Sequence, residues 1–215
     1  MKRLILAALL TACNATPVTE TTTGTQGTAP VTRVSGELQQ TVTSLHAAIG
    51  ARYAATITPP AADSSGAVNP LALATFTLPL PSTLQDGQLS RFYELFAAPT
   101  CTSALTGNTY ARMHFLSVLN GPGDTPFSSA MTVTANGVTT RTQATYLYAD
   151  RATYLRGTVR CPAASGGADV TGFELNLTAG WNRVLRADRA GQVIYATVSR
   201  DNGSNVTPEL WKAVQ

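Results

Sequence analysis

From Arg33 onward the sequence is cut into short runs by turn-forming residues at roughly 8–12-residue intervals, the punctuation of antiparallel strands. The sharpest case is Met131–Ala135, Asn136-Gly137, Val138–Arg141. Asn-Gly there supplies positive φ at both central positions of a type I′ turn, so the two runs are expected to pair as a hairpin. Arg33–Gln39, Ala51–Thr58 and Leu73–Leu80 read as strands. In Leu45–Tyr53 the alternation is poor, and a helical start competes there. Tyr110–Leu119 alternates, with Ala111, Met113, Phe115 and Leu119 on one face. Phe173, Leu175 and Leu177 alternate again, Ala179-Gly180 turns the chain, and Trp181–Leu185 returns; Gln192–Ser199 is the last strand.

The period changes at two places. Leu89, Phe92, Tyr93 and Phe96 fall at helical spacing behind Asp86, which is placed to cap them, so a short amphipathic helix is expected over 87–97, ended by Pro99. Thr207-Pro208-Glu209 has a cap, a proline at the first helical position and an acid, which predicts a short C-terminal helix over Leu210 and Trp211. The expected fold is mainly β, antiparallel and sandwich-like, with those two helices. About 180 residues suffice for one large or two small β units, and the natural division is 33–98 and 99–215.

Two segments do not belong to that fold. Residues 14–32 are Thr, Gly and Pro with hardly an apolar side chain, so they cannot bury a core and read as a tether. Before them, Met1-Lys2-Arg3 and the apolar run Leu4–Leu10 form an export signal. As a helix that run spans roughly 10 Å against ~30 Å of hydrocarbon, too short for a permanent span. Leu10-Thr11-Ala12-Cys13 then resembles the lipobox of bacterial lipoproteins. The resemblance implies cleavage of residues 1–12, a diacylglyceryl group on Cys13, and anchoring of the segment 13–32 at a membrane. Asn14 in place of Asp implies the outer membrane where the cell has one. An ordinary secretory signal is the competing reading: a cut after Ala12 puts Leu10 at −3, which fits poorly, whereas a cut after Ala15 puts Cys13 and Ala15 at −3 and −1, which fits.

Cleavage changes the electrostatics. The full chain has 15 basic and 12 acidic residues; without Lys2 and Arg3 it has 13 against 12. The remaining cations are arginines spread along the chain plus Lys212, which is no clustered basic face, so nucleic acid is excluded as a partner. Of three cysteines, Cys13 is taken by the anchor. Cys101 and Cys161 are then an even pair in an oxidising compartment and are expected to form a disulfide. A metal pair or a catalytic thiol competes, but zinc spacing is missing and neither His46 nor His114 is near either cysteine in sequence.

Between Tyr146 and Trp181 lies a near-repeat, Ala144-Thr-Tyr-Leu147 and Ala152-Thr-Tyr-Leu155, with Asp150-Arg151 as a turn between them, which reads as one more hairpin. Tyr148, Asp150, Gly157 and Cys161, followed by Leu175, Leu177, Gly180, Trp181 and Asn182, resemble a loose group of uncharacterised bacterial envelope lipoproteins. That resemblance implies a β-rich fold and carries over no functional residue.

Two surfaces compete with bland alternatives. Tyr146, Tyr148 and Tyr154, with Trp181, make an aromatic strip for a sugar ring if exposed. Arg156, together with Arg151 and Arg160, would then attract an anionic polymer. The alternative is that Trp181 is a core residue behind a tight turn whose Asn side chain satisfies local backbone groups, and that the tyrosines are ordinary cross-strand pairs. For catalysis, no Gly-x-Ser-x-Gly or Ser-x-x-Lys is present, and His46 and His114 read as exposed strand residues. No cofactor and no metal site are expected; Asp124 and the Asp201–Asn205 loop lack the acids that calcium needs. The reading is an envelope module, anchored by lipid and binding protein or glycan without catalysis; the alternative is an envelope hydrolase.

Overall fold

The computed structural model describes residues 30–62, 64–68, 72–135, 138–164, 166–189, 192–197 and 209–214. The signal, Cys13, most of the tether, the Asn136-Gly137 turn, the 201–205 loop and the Thr207-Pro208 helix start therefore lie outside the described residues. The strands are β1 (Arg33–Leu38), β2 (His46–Ile49), β3 (Ala51–Ala54), β4 (Thr56–Thr58), β5 (Ala74–Pro79), β6 (Ser90–Arg91), β7 (Thr102–Gly107) and β8 (Arg112–Leu116). They continue with β9 (Leu119–Asn120), β10 (Pro126–Ala135), β11 (Val138–Ala149), β12 (Thr153–Pro162), β13 (Ala168–Leu177), β14 (Gly180–Arg189), β15 (Gln192–Thr197) and β16 (Leu210–Ala213). One α-helix, α1, covers Phe92–Phe96. The protein is mainly β and sandwich-like, as its alternation predicts, although the sheet is mixed because β1–β16 and β13–β15 pair in parallel.

The organising element is β11. Its neighbours are β10 and then β8 on one edge and β14 on the other. Gln143 to Ala149 are all buried, because both faces of this strand are covered. Leu147 and Ala149 face one core, with Leu155, Val159, Phe173, Leu175 and Val184. Tyr146 and Tyr148 face the other, with Val34, Leu38, Phe76, Leu78, Phe127 and Trp211. The first core lies inside the path β11-β14-β15-β13-β12-β7. The second lies under an outer layer of β1, β5, β16, β2 and β9.

The Met131–Arg141 hairpin forms, with Ala135 opposite Val138. The other local pairings do not. β11 and β12 are not neighbours, so Asp150-Arg151 is a corner and not a hairpin turn. There the Asp150 carboxylate accepts the Arg112 backbone N–H at 3.0 Å and is forked by Arg151, which holds it below the usual carboxylate range. β13 and β14 are not neighbours either; β15 runs between them. The segment 51–58 breaks at Ala55 into β3, which pairs β2, and β4, which pairs β5. Leu45–Tyr53 is a β2–β3 hairpin turning at Gly50, with no helix.

The expected internal helix is present but shorter, and the expected C-terminal helix is a strand. Over 87–97 only Phe92–Phe96 is α-helical; Asp86–Gln88 is a 3₁₀ turn, and Ser90–Arg91 pairs with β8. The interruption is anchored by Gln88, whose amide donates to the Ile49 carbonyl at 2.7 Å. Phe92 and Phe96 still seat one turn apart on Phe173, at 4.9 and 5.1 Å between ring centroids. The C-terminal helix is strand β16, which inserts between β1 and β10. Burial of Trp211 outweighs the local helix signal. Through this insertion the last strand completes the layer begun by the first. Trp211 fits because residue 36 is glycine: a Cβ there would lie 2.4 Å from the Glu209 carbonyl and 2.7 Å from the indole.

Cys101 and Cys161 form a disulfide, closing the ladder of β7 and β12 just beyond its last pair, Thr102–Arg160. No helix among the described residues is long and apolar enough to cross a membrane.

Candidate functional site

The aromatic strip expected from sequence is divided by the fold. Trp181, at 2% exposure, sits in the core under the outer layer, its Nε1 donating to the Pro81 carbonyl at 2.8 Å and its ring edge-on to Tyr148. Tyr146 and Tyr148 are buried beside it. They cannot present a platform to a sugar, because β1 and its neighbours cover that face of β11. Asn182 does what a corner asparagine does: its amide donates to the carbonyls of Leu147, Thr178 and Gly180, and its oxygen accepts from Thr178. Those bonds satisfy the backbone where the chain passes from β13 to β14.

Tyr146 belongs to a cluster that no local motif announces. Its hydroxyl lies 3.2 Å from both Glu209 oxygens, and the Arg183 guanidinium pairs with the same carboxylate at 2.6 Å. Burial and the adjacent carboxylate push the Tyr146 hydroxyl far above its ordinary value, so it stays a donor. The cluster ties the base of β16 to β11 and β14, and its partners are 26 and 63 residues away in sequence. This is a structural clamp.

The histidines are not exposed strand residues. His46 is buried at the end of β2, with Nε2 3.7 Å from Asp124 Oδ1. Asp124 itself is 67% exposed at its side chain, has φ of 57°, and takes a guanidinium N–H from Arg52 at 3.1 Å. Ser44, His46, Arg52 and Asp124 line one concave cavity of about 470 Å³. His114 is half-buried on β8, its Nδ1 2.9 Å from the Gln88 carbonyl and its ring edge-on to Trp181 at 6.0 Å. A carbonyl only accepts, so Nδ1 carries the proton. Among the described residues no group of three His, Cys, Asp or Glu side chains is placed to hold a metal ion.

The remaining members of the expected surface do come together. On β12 the side chains of Tyr154, Arg156, Thr158 and Arg160 all point outward. Tyr154 is 59% exposed. Opposite them on β13 lie Asn176, Glu174, Gly172 and Val170, and on β15 Ile194 lies beside Gly172. Ala104 of β7 completes the row through Thr158. Thr158 and Gly172 are small, so the row is a depression there, with Arg156 and Glu174 on one side and Arg160, Val170 and Gln192 on the other. The groove holds about 340 Å³. The alternation on β12 was readable in the sequence. The floor was not, because Gly172 joins Thr158 only through the β12–β13 register. No family model, no curated protein and no solved structure matches the chain.

Proposed function

We propose that the chain is exported, cut before Cys13, held at the outer membrane by a lipid on that cysteine, and acts in the cell envelope as a non-catalytic module that binds protein or glycan. The observation that carries this reading is the Cys101–Cys161 disulfide, which suits an oxidising compartment and is rare in the cytosol. The export signal and the Leu10-Thr11-Ala12-Cys13 lipobox point to the same compartment. A diacylglyceryl unit supplies the two acyl chains that stable anchoring needs. Val31 is already buried and bonded to the Trp181 carbonyl, so the tether is shorter than the expected 14–32; the segment 14–29 is long enough, fully extended, to separate the β domain from its bilayer by up to ~50 Å.

With labelled palmitate in a bacterium that has an outer membrane, the wild-type chain is expected to take up label and to sediment with membranes. Cys13→Ser is expected to take up none and to leave the membrane fraction. Equal labelling of the two chains contradicts the anchor.

The second reading, an envelope hydrolase, has one observation in its favour: Ser44, His46 and Asp124 line the same cavity. Against it, Asp124 is tied to Arg52, and its 3.7 Å separation from His46 is too long for the bond that orients a catalytic base. Turnover on ester, amide and glycoside substrates is therefore expected to be the same for wild type, Ser44→Ala and His46→Asn, at background. Turnover by wild type that both substitutions abolish would assign the protein to the hydrolases.

A further inference from the structure

We propose that the groove across β12, β13 and β15 binds a linear anionic glycan, one carrying carboxylate or phosphate groups along its length. This rests on the reading of the chain as an envelope binding module and gives that module its ligand class.

The groove runs across the strands. Its floor, Thr158, Gly172 and Ile194, crosses two strand spacings, about 10 Å. Its walls stand on rows four residues apart along each strand, about 13 Å between backbones. That is a channel open at both ends, shaped for an extended polymer and too shallow to enclose a small molecule. Ile194, 38% exposed, gives the floor an apolar patch, and Tyr154 stands beyond the Arg156 wall as an exposed ring on which a sugar face can stack.

The charge selects an anion. Arg156 and Arg160 rise from opposite walls, and Glu174, directly across from Arg156, is the one carboxylate among the described residues that line the groove. Among the described residues Arg160 forms no ion pair. A guanidinium fork matches carboxylate and phosphate oxygens bidentately, so Arg160 is placed to take an anionic group of a chain lying on the floor.

Gly172 supplies the decisive variant. A Cβ at this position would meet only Ile194 Cγ1 at 3.6 Å and the Val193 carbonyl at 3.9 Å, both ordinary contacts, and the backbone there is not left-handed. Gly172→Gln therefore fills the groove without disturbing the sheet. Affinity electrophoresis of the full-length chain in mild detergent is the test. The gels contain polygalacturonate (carboxylates), a glycerol-phosphate teichoic acid (phosphodiesters), neutral dextran, or poly(dT).

Retardation is expected in at least one of the two anionic glycans, and which of them retards identifies the anion. Retardation is not expected in dextran or poly(dT). Gly172→Gln and the double variant Arg156→Ala/Arg160→Ala are each expected to weaken binding at least tenfold, with thermal midpoints near wild type for Gly172→Gln. Raising ionic strength to ~0.5 M is expected to weaken it further, since exposed charges are then screened within a few ångströms. No retardation by either glycan overturns the proposal, as does equal retardation by poly(dT), or wild-type binding by Gly172→Gln. If the palmitate experiment succeeds and these gels fail, the groove is wrong and the anchored module stands; if Cys13→Ser labels as wild type, the gels still test the groove.

Discussion

Trp211→Ala is expected to destabilise the protein by about 3–5 kcal/mol, the range for deleting a fully buried large aromatic side chain. The indole is at 0% exposure, packs edge-on to Phe76 at 5.6 Å, and sits over Gly36. It is also the anchor of a four-residue strand whose ladder bonds to β1 and β10 are few, such as Gln39 N–H to the Trp211 carbonyl and Val214 N–H to the Pro126 carbonyl. Without the side chain, β16 loses its hold, and the Tyr146–Glu209–Arg183 cluster opens with it. Trp211→Phe is expected to cost much less, because Nε1 has no hydrogen-bond partner among the described residues. Urea unfolding of the three chains checks this. A Trp211→Phe midpoint as low as that of Trp211→Ala would mean the indole N–H matters and the packing account is incomplete.

Loss of the Cys101–Cys161 bond is the second large effect. The cysteines are 60 residues apart, and closing a loop of that size restricts the unfolded chain by about 4 kcal/mol on the chain-entropy model. The location adds a local consequence. Among the described residues β7 pairs only with β12, and five of its six residues are exposed. The disulfide pins the end of this edge strand, so the Cys101→Ser/Cys161→Ser chain is expected to lose amide protection first in Thr102–Gly107. Hydrogen exchange resolves that from global destabilisation, which would lower protection in β11 equally.

What the sequence made legible is what two-residue periodicity and turn chemistry encode. β1, β5, β13 and the β10–β11 hairpin follow from alternation and Asn-Gly, and the disulfide from counting cysteines. Tyr146–Ala149 reads as continuously apolar, and the reason is that β11 has a core on each face. Strand order was not legible. Leu177 and Trp181 look like two sides of a hairpin because only Thr178–Gly180 separate them, yet β15 occupies the space between β13 and β14. Nothing local encodes that insertion; it is set by Phe173 stacking on Tyr195, 22 positions on in the chain, at 5.7 Å. At the C-terminus the Thr-Pro-Glu signal was real but weak, a preference of about 1 kcal/mol from a cap, against several from burying Trp211. For the candidate surface, residue type was readable and exposure was not: Tyr146, Tyr148, Tyr154 and Trp181 are alike in sequence, and only Tyr154 lies on a face that no other layer covers.

In the proposed state the chain is exported, Cys13 carries the lipid, and Cys101 and Cys161 are joined to each other. Intact mass spectrometry of the protein extracted from membranes, with thiols alkylated and no reductant added, measures all of them at once. The expected result is a chain beginning at residue 13, heavier by a diacylglyceryl group on that cysteine, with no alkylated thiol and a 2-hydrogen deficit for the disulfide. A chain that retains residues 1–12, or that takes up alkylating reagent at Cys13, Cys101 or Cys161, would contradict it.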